Sequence, residues 1–589
     1  MAKRRPESVD RRQFLGLVGL GAAGLAAGER ALADAAPAAS PAGPRKPNII
    51  LILTADQGYG DSVWTGCKDI PQPNLDALGH AGVRFGAAYA TAPVGGPTRA
   101  ALMTGRYGQR FGYEFNTDFP GGSTDEGGLP ADQPTLAELL KAAGYKTGLV
   151  GKWHLGYKPE RSPLKRGFDE FFGFLGGLHS YLPPGSAPLA VPGAGAPGGT
   201  LPAPPPSPFG DVKPKPQAGA AGPPQMVFVA RGQAVPTPQG ANKDPGAAAG
   251  ADAGAAPPAA ALPPAAPPAP DIPLYRGTDV VTEPGHLTAA FTREAVAFIN
   301  AHKAEPFFLC LSYNAPQWPL EPPPDQIDKF KAVADEKRRV LSAQMAAVDD
   351  GVGQVMAALH DASLTADTLV IALSVCGGAG YTGASNLPFR GHKNMLTEGG
   401  IRVPMALSWP AAAPAGRTYD QPVLATDVFA TVLAAAKVTP PPAANDGVDL
   451  LPYVSGARAA GPHEMLFWGY GRQWAVRQDD WKLVSILGES AALFHLGHDP
   501  GELSDRSLDQ TTRVVRMTKA WDQWNRGLTA STFGGHDEGD ETVILPGAAK
   551  AAAADDSGAD QANNGKGGGG KGGRGGKGGR GGRGGRGRE

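Results

Sequence analysis

Apolar positions along the chain fall into two patterns. Nearly unbroken runs at Asn48 to Leu53 (NIILIL), Pro306 to Ser312 and Thr368 to Leu373 have the texture of strands buried on both faces of a parallel sheet. Elsewhere apolar residues recur at helical spacing, over Leu136 to Ala143, Leu287 to His302 and Arg338 to Leu359. Gly144 stops the first of these helices, and Thr147 to Val150 starts a strand again. The alternation predicts an α/β sheet with helices on both faces, in two parts, residues 48–182 and 271–440. A smaller C-terminal region, 441–535, has strand candidates at Gln473 to Ile486 and Ala492 to Leu496.

Composition changes this picture mainly at the seams. Residues 183–270 are Pro, Ala and Gly with few aromatics; such a stretch cannot bury enough apolar area to offset its ordering entropy, and reads as a disordered surface insertion. Residues 34–47 read as a linker, and 536–589 as a disordered tail whose end, from Gly565, is Gly with regularly spaced Lys and Arg. That polycation would hold acidic polymers by counterion release, or simply be solvated. The formal net charge of the whole chain is −1, so the chain as a whole is not built for polyanions, and no nucleic acid partner is expected. Cys67, Cys310 and Cys376 are too few and too scattered for a disulfide framework.

The first 33 residues read as an address. Arg11-Arg12-Gln13-Phe14-Leu15 precedes an apolar run to Ala27, and Ala31-Leu32-Ala33 offers a small-residue cleavage site. This is the pattern of a twin-arginine export signal, which implies passage through the twin-arginine translocase to the periplasm or outside the cell. The run is shorter than the roughly 20 residues a spanning helix needs, so no stable membrane span is expected.

The candidate chemistry centres on Thr91–Tyr107, TAPVGGPTRAALMTGRY. With GYGD at Gly58–Asp61, QPNLDALGHAGVRF at Gln72–Phe85, GKWHLG at Gly151–Gly156, RGFDEFFGF at Arg166–Phe174 and NLPFRGHKNMLTEGGIRVP at Asn386–Pro404, it resembles the type I sulfatases. RFGYEFN at Arg110–Asn116 is most similar to bacterial N-acetylgalactosamine-6-sulfatase-like and arylsulfatase-like members. The resemblance implies an alkaline-phosphatase-like α/β fold: a mixed, mostly parallel sheet flanked by helices, plus a small C-terminal antiparallel α+β subdomain.

It also implies a site, which this chain fills incompletely. In the family a Cys or Ser is oxidised to formylglycine, whose hydrate attacks sulfur; that position is Gly95, which has no side-chain carbon to oxidise. The family holds calcium with an Asp-Asp pair and an Asp-Asn pair, and the corresponding positions are Ala55-Asp56 and Val375-Cys376. Only Asp56 keeps an oxygen ligand, so no cofactor is expected, whereas calcium would follow from an intact site. The histidine that protonates the leaving alcohol is replaced by Gln317, which cannot shuttle a proton. Arg99, Lys152, His154 and Lys393 are retained, with Ser180 near a family hydroxyl contact. Arg99, Lys152, Ser180 and Lys393 are the expected substrate contacts, in a pocket with surplus positive charge.

Weaker candidates are a zinc set of Cys376, His154, His392 and Asp56, a sugar-stacking Trp318, and His179 beside the pocket. Gly121-Gly122 and Gly127-Gly128 read as turn punctuation. Three functions follow as expectations. The first is a catalytically impaired scaffold that binds sulfated or other anionic glycans. The second is an active sulfate or phosphate ester hydrolase with a rerouted mechanism, its water held by His154. The third is a surface interaction protein working through the basic tail.

Overall fold

A computed structural model describes residues 46–117, 127–186, 273–440, 445–486, 488–531 and 533. The export signal, nearly all of the linker, most of the 183–270 insertion, Gly121-Gly122 and the basic tail lie outside the described residues. Among the described residues no helix is long and apolar enough to cross a membrane.

The core is a ten-stranded sheet. Its centre is a block of five parallel strands in the order Thr368–Ser374, Asn48–Thr54, Phe307–Ser312, Lys146–Lys152 and Glu170–Phe174. Met405–Ser408 pairs antiparallel on one side and Leu274–Arg276 on the other, so the sheet is mixed but mostly parallel in the middle. Every residue of Asn48–Thr54 is buried. Ile49, Leu51 and Leu53 enter one apolar core and Ile50 and Ile52 another, as the two-residue period of a strand requires. Helices Gly95–Thr104, Leu136–Ala142 and Ala425–Ala436 cover the first face; Pro73–His80, Leu287–His302 and Glu336–Asp361 cover the second.

The predicted helices and core strands are found within two residues of their expected ends. The expected single run Gln473 to Ile486 is instead two strands, Gln473–Gln478 and Trp481–Ser485, because Asp479 takes a left-handed conformation (φ 52°) and turns the chain. With Leu466–Tyr470 and Ala492–His495 they form a four-stranded antiparallel sheet. Helix Thr511–Asn525 packs on it through Met517 and Trp521. A three-stranded sheet of Ala88–Tyr89, Arg402–Val403 and Val423–Leu424 was not expected; two-residue strands leave no periodic signal.

Candidate functional site

The carboxyl ends of the parallel strands carry the site, the edge where open α/β sheets place their ligands. Ala55 and Asp56 follow the first strand, Lys152 and Ser312 are the last residues of theirs, and Val375 and Cys376 follow Thr368–Ser374. Helix Gly95–Thr104 begins at the same edge, with all ten of its residues buried. It ends at Gly105 in a left-handed cap (φ 69°), where any Cβ would lie 2.4 Å from the Phe429 ring. The Thr-Gly-Arg part of the motif is therefore a helix stop packed on a neighbouring helix.

At position 95 itself, a Cβ would lie 3.2 Å from Val375 Cγ2 and 3.9 Å from Arg99 Nε. The expected nucleophile position thus faces one of the expected metal positions, Val375, with hydrogen at the first and hydrocarbon at the second. Gly96 N–H donates to Asn116 Oδ1 at 2.9 Å, and Tyr113 Oη donates to the His154 carbonyl at 2.8 Å. Arg110 binds Asp446 through Nε and Nη2, and Glu114 accepts from Gly471 N at 2.7 Å. The Arg110–Asn116 segment therefore braces the start of the helix and the C-terminal sheet.

The basic residues are brought together, and most have found partners inside the chain. Arg99, 3% exposed, donates through Nη1 to Ser312 Oγ and, at 3.3 Å, to the Lys152 carbonyl. Burial lowers its guanidinium to about 10. Lys152 Nζ donates to the Gly177 carbonyl and to Gln317 Oε1, both at 2.7 Å. Burial, then the charges of Arg99 and Lys393, hold its ammonium well below the ordinary lysine range. Lys393 Nζ lies 2.8 Å from Asp56 Oδ2; burial works against its charge, but Asp56, Tyr381 and Cys376 together outweigh it and hold the ammonium above the ordinary range. The expected surplus of positive charge is accordingly reduced: Asp56 offsets one cation, and Gln317 accepts from another.

His154 has a left-handed backbone (φ 58°) and is 3% exposed. Burial, then Lys152, Arg99 and Lys393, push its imidazole well below the ordinary histidine range, so the ring is neutral. Arg99 Nε and Nη2 and Asn314 Oδ1 have no hydrogen-bond partner among the described residues, whereas a backbone group of Thr117 bonds the His154 ring.

The metal expectation can be tested on the donors present. Cys376 Sγ donates to Asp56 Oδ1 at 3.3 Å, and burial pushes that thiol up to about 12, so it is protonated. Both Asp56 oxygens are thus engaged, and Ala55 and Val375 bring only carbon; this set does not fit a calcium ion wanting 6–8 oxygens. The zinc set is corrected. Among the described residues no three His, Cys, Asp or Glu side chains are grouped to hold a metal, and His392 Nδ1 is turned to the Lys393 carbonyl at 2.8 Å.

The remaining expected residues sit on the wall. Ser180 Oγ donates to Glu321 Oε2 at 2.8 Å, so its one proton is committed and only its lone pairs face a ligand. Trp318 is 6% exposed, a core residue and not a stacking platform. His179 packs against the Phe174 ring with centroids 5.0 Å apart. Sequence reasoning missed Ser312, Tyr113, Asn116 and Asn314. Ser312 left a signal, a polar residue closing an otherwise apolar strand at the same edge as Lys152.

Known proteins share this architecture. The family model described as Sulfatase matches residues 47–438, and one described as N-sulphoglucosamine sulphohydrolase, C-terminal, matches 391–523. N-acetylgalactosamine-6-sulfatase of Homo sapiens is 28% identical over 540 residues, covering 82% of this chain and 87% of that protein. Steryl-sulfatase of Mus musculus is 33% identical over 468 residues, covering 74% and 69%. The crystal structure of Ps i-CgsB in complex with k-i-k-neocarrahexaose matches with a TM-score of 0.67 at 29% identity, covering 84% of this chain and 97% of that one. By the Sulfatase model's match over residues 47–438 and the relative at 33% identity, the chain belongs to the sulfatase family.

Proposed function

We propose that the protein is an exported sulfatase-family scaffold that holds a sulfated or other anionic glycan without cleaving it. One observation carries the reading: two buried donors of Arg99, Nε and Nη2, have no partner in the described chain, at the strand edge where Lys152, Lys393 and a buried neutral His154 also stand. A buried donor left unpaired costs roughly 1–3 kcal/mol, more when charged, and an oxyanion would satisfy several at once. Arg99 supplies a planar fork, while Lys152 and Lys393 each have three donors when protonated, more than the one or two bonds they make here. The glycan class is supported by relatives named for N-acetylgalactosamine 6-sulfate and by a relative solved with a neocarrahexaose. Non-cleavage is supported by chemistry: Gly95 offers no nucleophile and Gln317 no transferable proton. Export rests on the Arg11-Arg12 signal pattern.

Titration calorimetry with a sulfated oligosaccharide tests the binding. Charge-assisted hydrogen bonds contribute roughly 1.5–3 kcal/mol each, so Arg99→Ala is expected to weaken binding at least tenfold. Absence of heat with the wild-type protein removes the reading.

The rival is an active ester hydrolase, favoured by the neutral His154 ring buried at this edge, which is able to accept a proton from water. Aryl sulfate turnover that disappears in His154→Ala would establish it.

A further inference from the structure

The donor set that fails to fit calcium contains a substitute for it. Asp56 is 2% exposed, and its left-handed backbone (φ 63°) turns the carboxylate toward the loop after Thr368–Ser374. There Cys376 Sγ donates to one oxygen and Lys393 Nζ to the other, at 3.3 and 2.8 Å. Lys393 is not a loose surface side chain that happens to reach inward. Its backbone N–H donates to the Gly378 carbonyl at 3.1 Å. The Asn386 side chain accepts from Gly378 N–H at 2.8 Å and donates to the Gly378 and Gly391 carbonyls. Asn394, next in sequence, is tied to the Pro93 carbonyl at 2.9 Å, two residues before Gly95. The Lys393 backbone is therefore tied down on both sides, and its ammonium is held on the Asp56 carboxylate.

Charge and space agree. A divalent cation here would meet one carboxylate, a methyl, an isopropyl and a thiol, with the carboxylate already bonded by Cys376 Sγ and Lys393 Nζ. Losing three oxygen ligands, two or more of them anionic in the family pattern, removes the negative charge that neutralises such an ion. A single positive charge against the one surviving carboxylate is the balanced arrangement.

We propose that Lys393, locked to Asp56, is an internal replacement for the family's metal, and that the site is built to work without a divalent cation. The proposal concerns the site named under the proposed function, but its test needs no glycan. If calorimetry with sulfated oligosaccharide fails, the binding reading falls and this one stands; the reverse holds for the measurements below.

The experiment has two arms. In the first, purified wild-type protein is assayed for calcium and other divalent metals, and its melting temperature is read with excess calcium and with EDTA. A ligand at roughly a hundred times its dissociation constant raises a melting temperature by several degrees. The expected result is substoichiometric metal and no shift in either condition. In the second, Asp56→Asn and Lys393→Gln are made singly and together, and melting temperatures are compared. Each single change leaves a buried charge unpaired, so the double variant is expected to lose clearly less than the sum of the two. Stoichiometric calcium retained through purification, a calcium-dependent rise in melting temperature, or additive losses in the cycle would overturn the proposal. If a single variant does not fold while the double does, the coupling is shown in its strongest form; if neither single nor double folds, the first arm decides.

Discussion

Gly95 and Val375 explain each other at the level of atoms. The Cβ that a nucleophile needs would press on the Val375 isopropyl group at 3.2 Å, tighter than ordinary contact, so a hydrogen at one position suits a branched hydrocarbon at the other. Restoring one without the other restores nothing. Gly95→Cys, produced with a formylglycine-generating system, is expected to leave aryl sulfate turnover at the wild-type level; vigorous turnover by that single variant would refute the reading of the site. A second expectation concerns protons. Lys152 and His154 are held below their ordinary ranges by burial and by neighbouring cations, so the ligand-free site binds fewer protons than these groups would in water. As a neutral amine, Lys152 uses its two N–H groups on Gly177 and Gln317; protonation adds the donor that faces a ligand. An oxyanion favours the charged forms, so binding takes up protons and affinity rises as pH falls below the ordinary lysine range, with the histidine contributing nearer its own range. Heats of binding in two buffers of different ionisation enthalpy measure the uptake; release of protons would reverse the sign and exclude this account. The identities of Arg99, Lys152, His154 and Lys393 were legible from motifs, because strand ends and a helix start fix them. Their partners were not: Gln317 accepting from Lys152, and Asp56 from Lys393, join residues 165 and 337 positions apart in the chain.

Elements were legible where burial imposes a period. The strand Asn48–Thr54 is apolar throughout because helices cover both faces, and Leu287–His302 repeats on one side because only that side meets the sheet. Where two residues suffice to pair, as in Ala88–Tyr89, the pattern falls silent. Polar contacts between the C-terminal sheet and the rest of the chain were equally hidden, set beside an apolar cluster that includes Tyr89, Leu396, Trp468 and Val484. Lys482, fully buried on strand Trp481–Ser485, lies 3.0 Å from Glu398 Oε1 and 3.0 Å from Glu502 Oε1. Glu398 also accepts from Tyr89 Oη at 2.6 Å, and Arg402 lies 3.3 Å from it. Burial opposes the Glu398 charge, but Lys482, with Arg402 and Arg477, holds the carboxyl below its ordinary range. Removing one partner of a buried ion pair costs about 3–5 kcal/mol, since the other charges are left without compensation. Lys482→Met is expected to lose about that much in denaturant unfolding; a loss below about 1 kcal/mol would mean the network does not stabilise this junction.

Taken whole, the molecule keeps the sulfatase scaffold, and on the proposed reading the parts that react have changed. The parallel sheet, the helix that starts at residue 95 and the brace through Arg110 and Asp446 are intact, and they keep Arg99 and His154 in place. At the positions expected for the nucleophile, three of the metal ligands and the proton donor stand hydrogen, hydrocarbon, thiol and amide, each accommodated by its neighbours. Scaffold and site were separable in the sequence for this reason: packing is written in long apolar patterns, chemistry in single positions. Native mass spectrometry of the purified protein after prolonged incubation with a sulfated oligosaccharide tests the central claim in one spectrum. The expected result is a complex whose bound ligand retains every sulfate and whose protein carries no divalent metal. A spectrum with no complex, or with the oligosaccharide shortened by one sulfate, would contradict it.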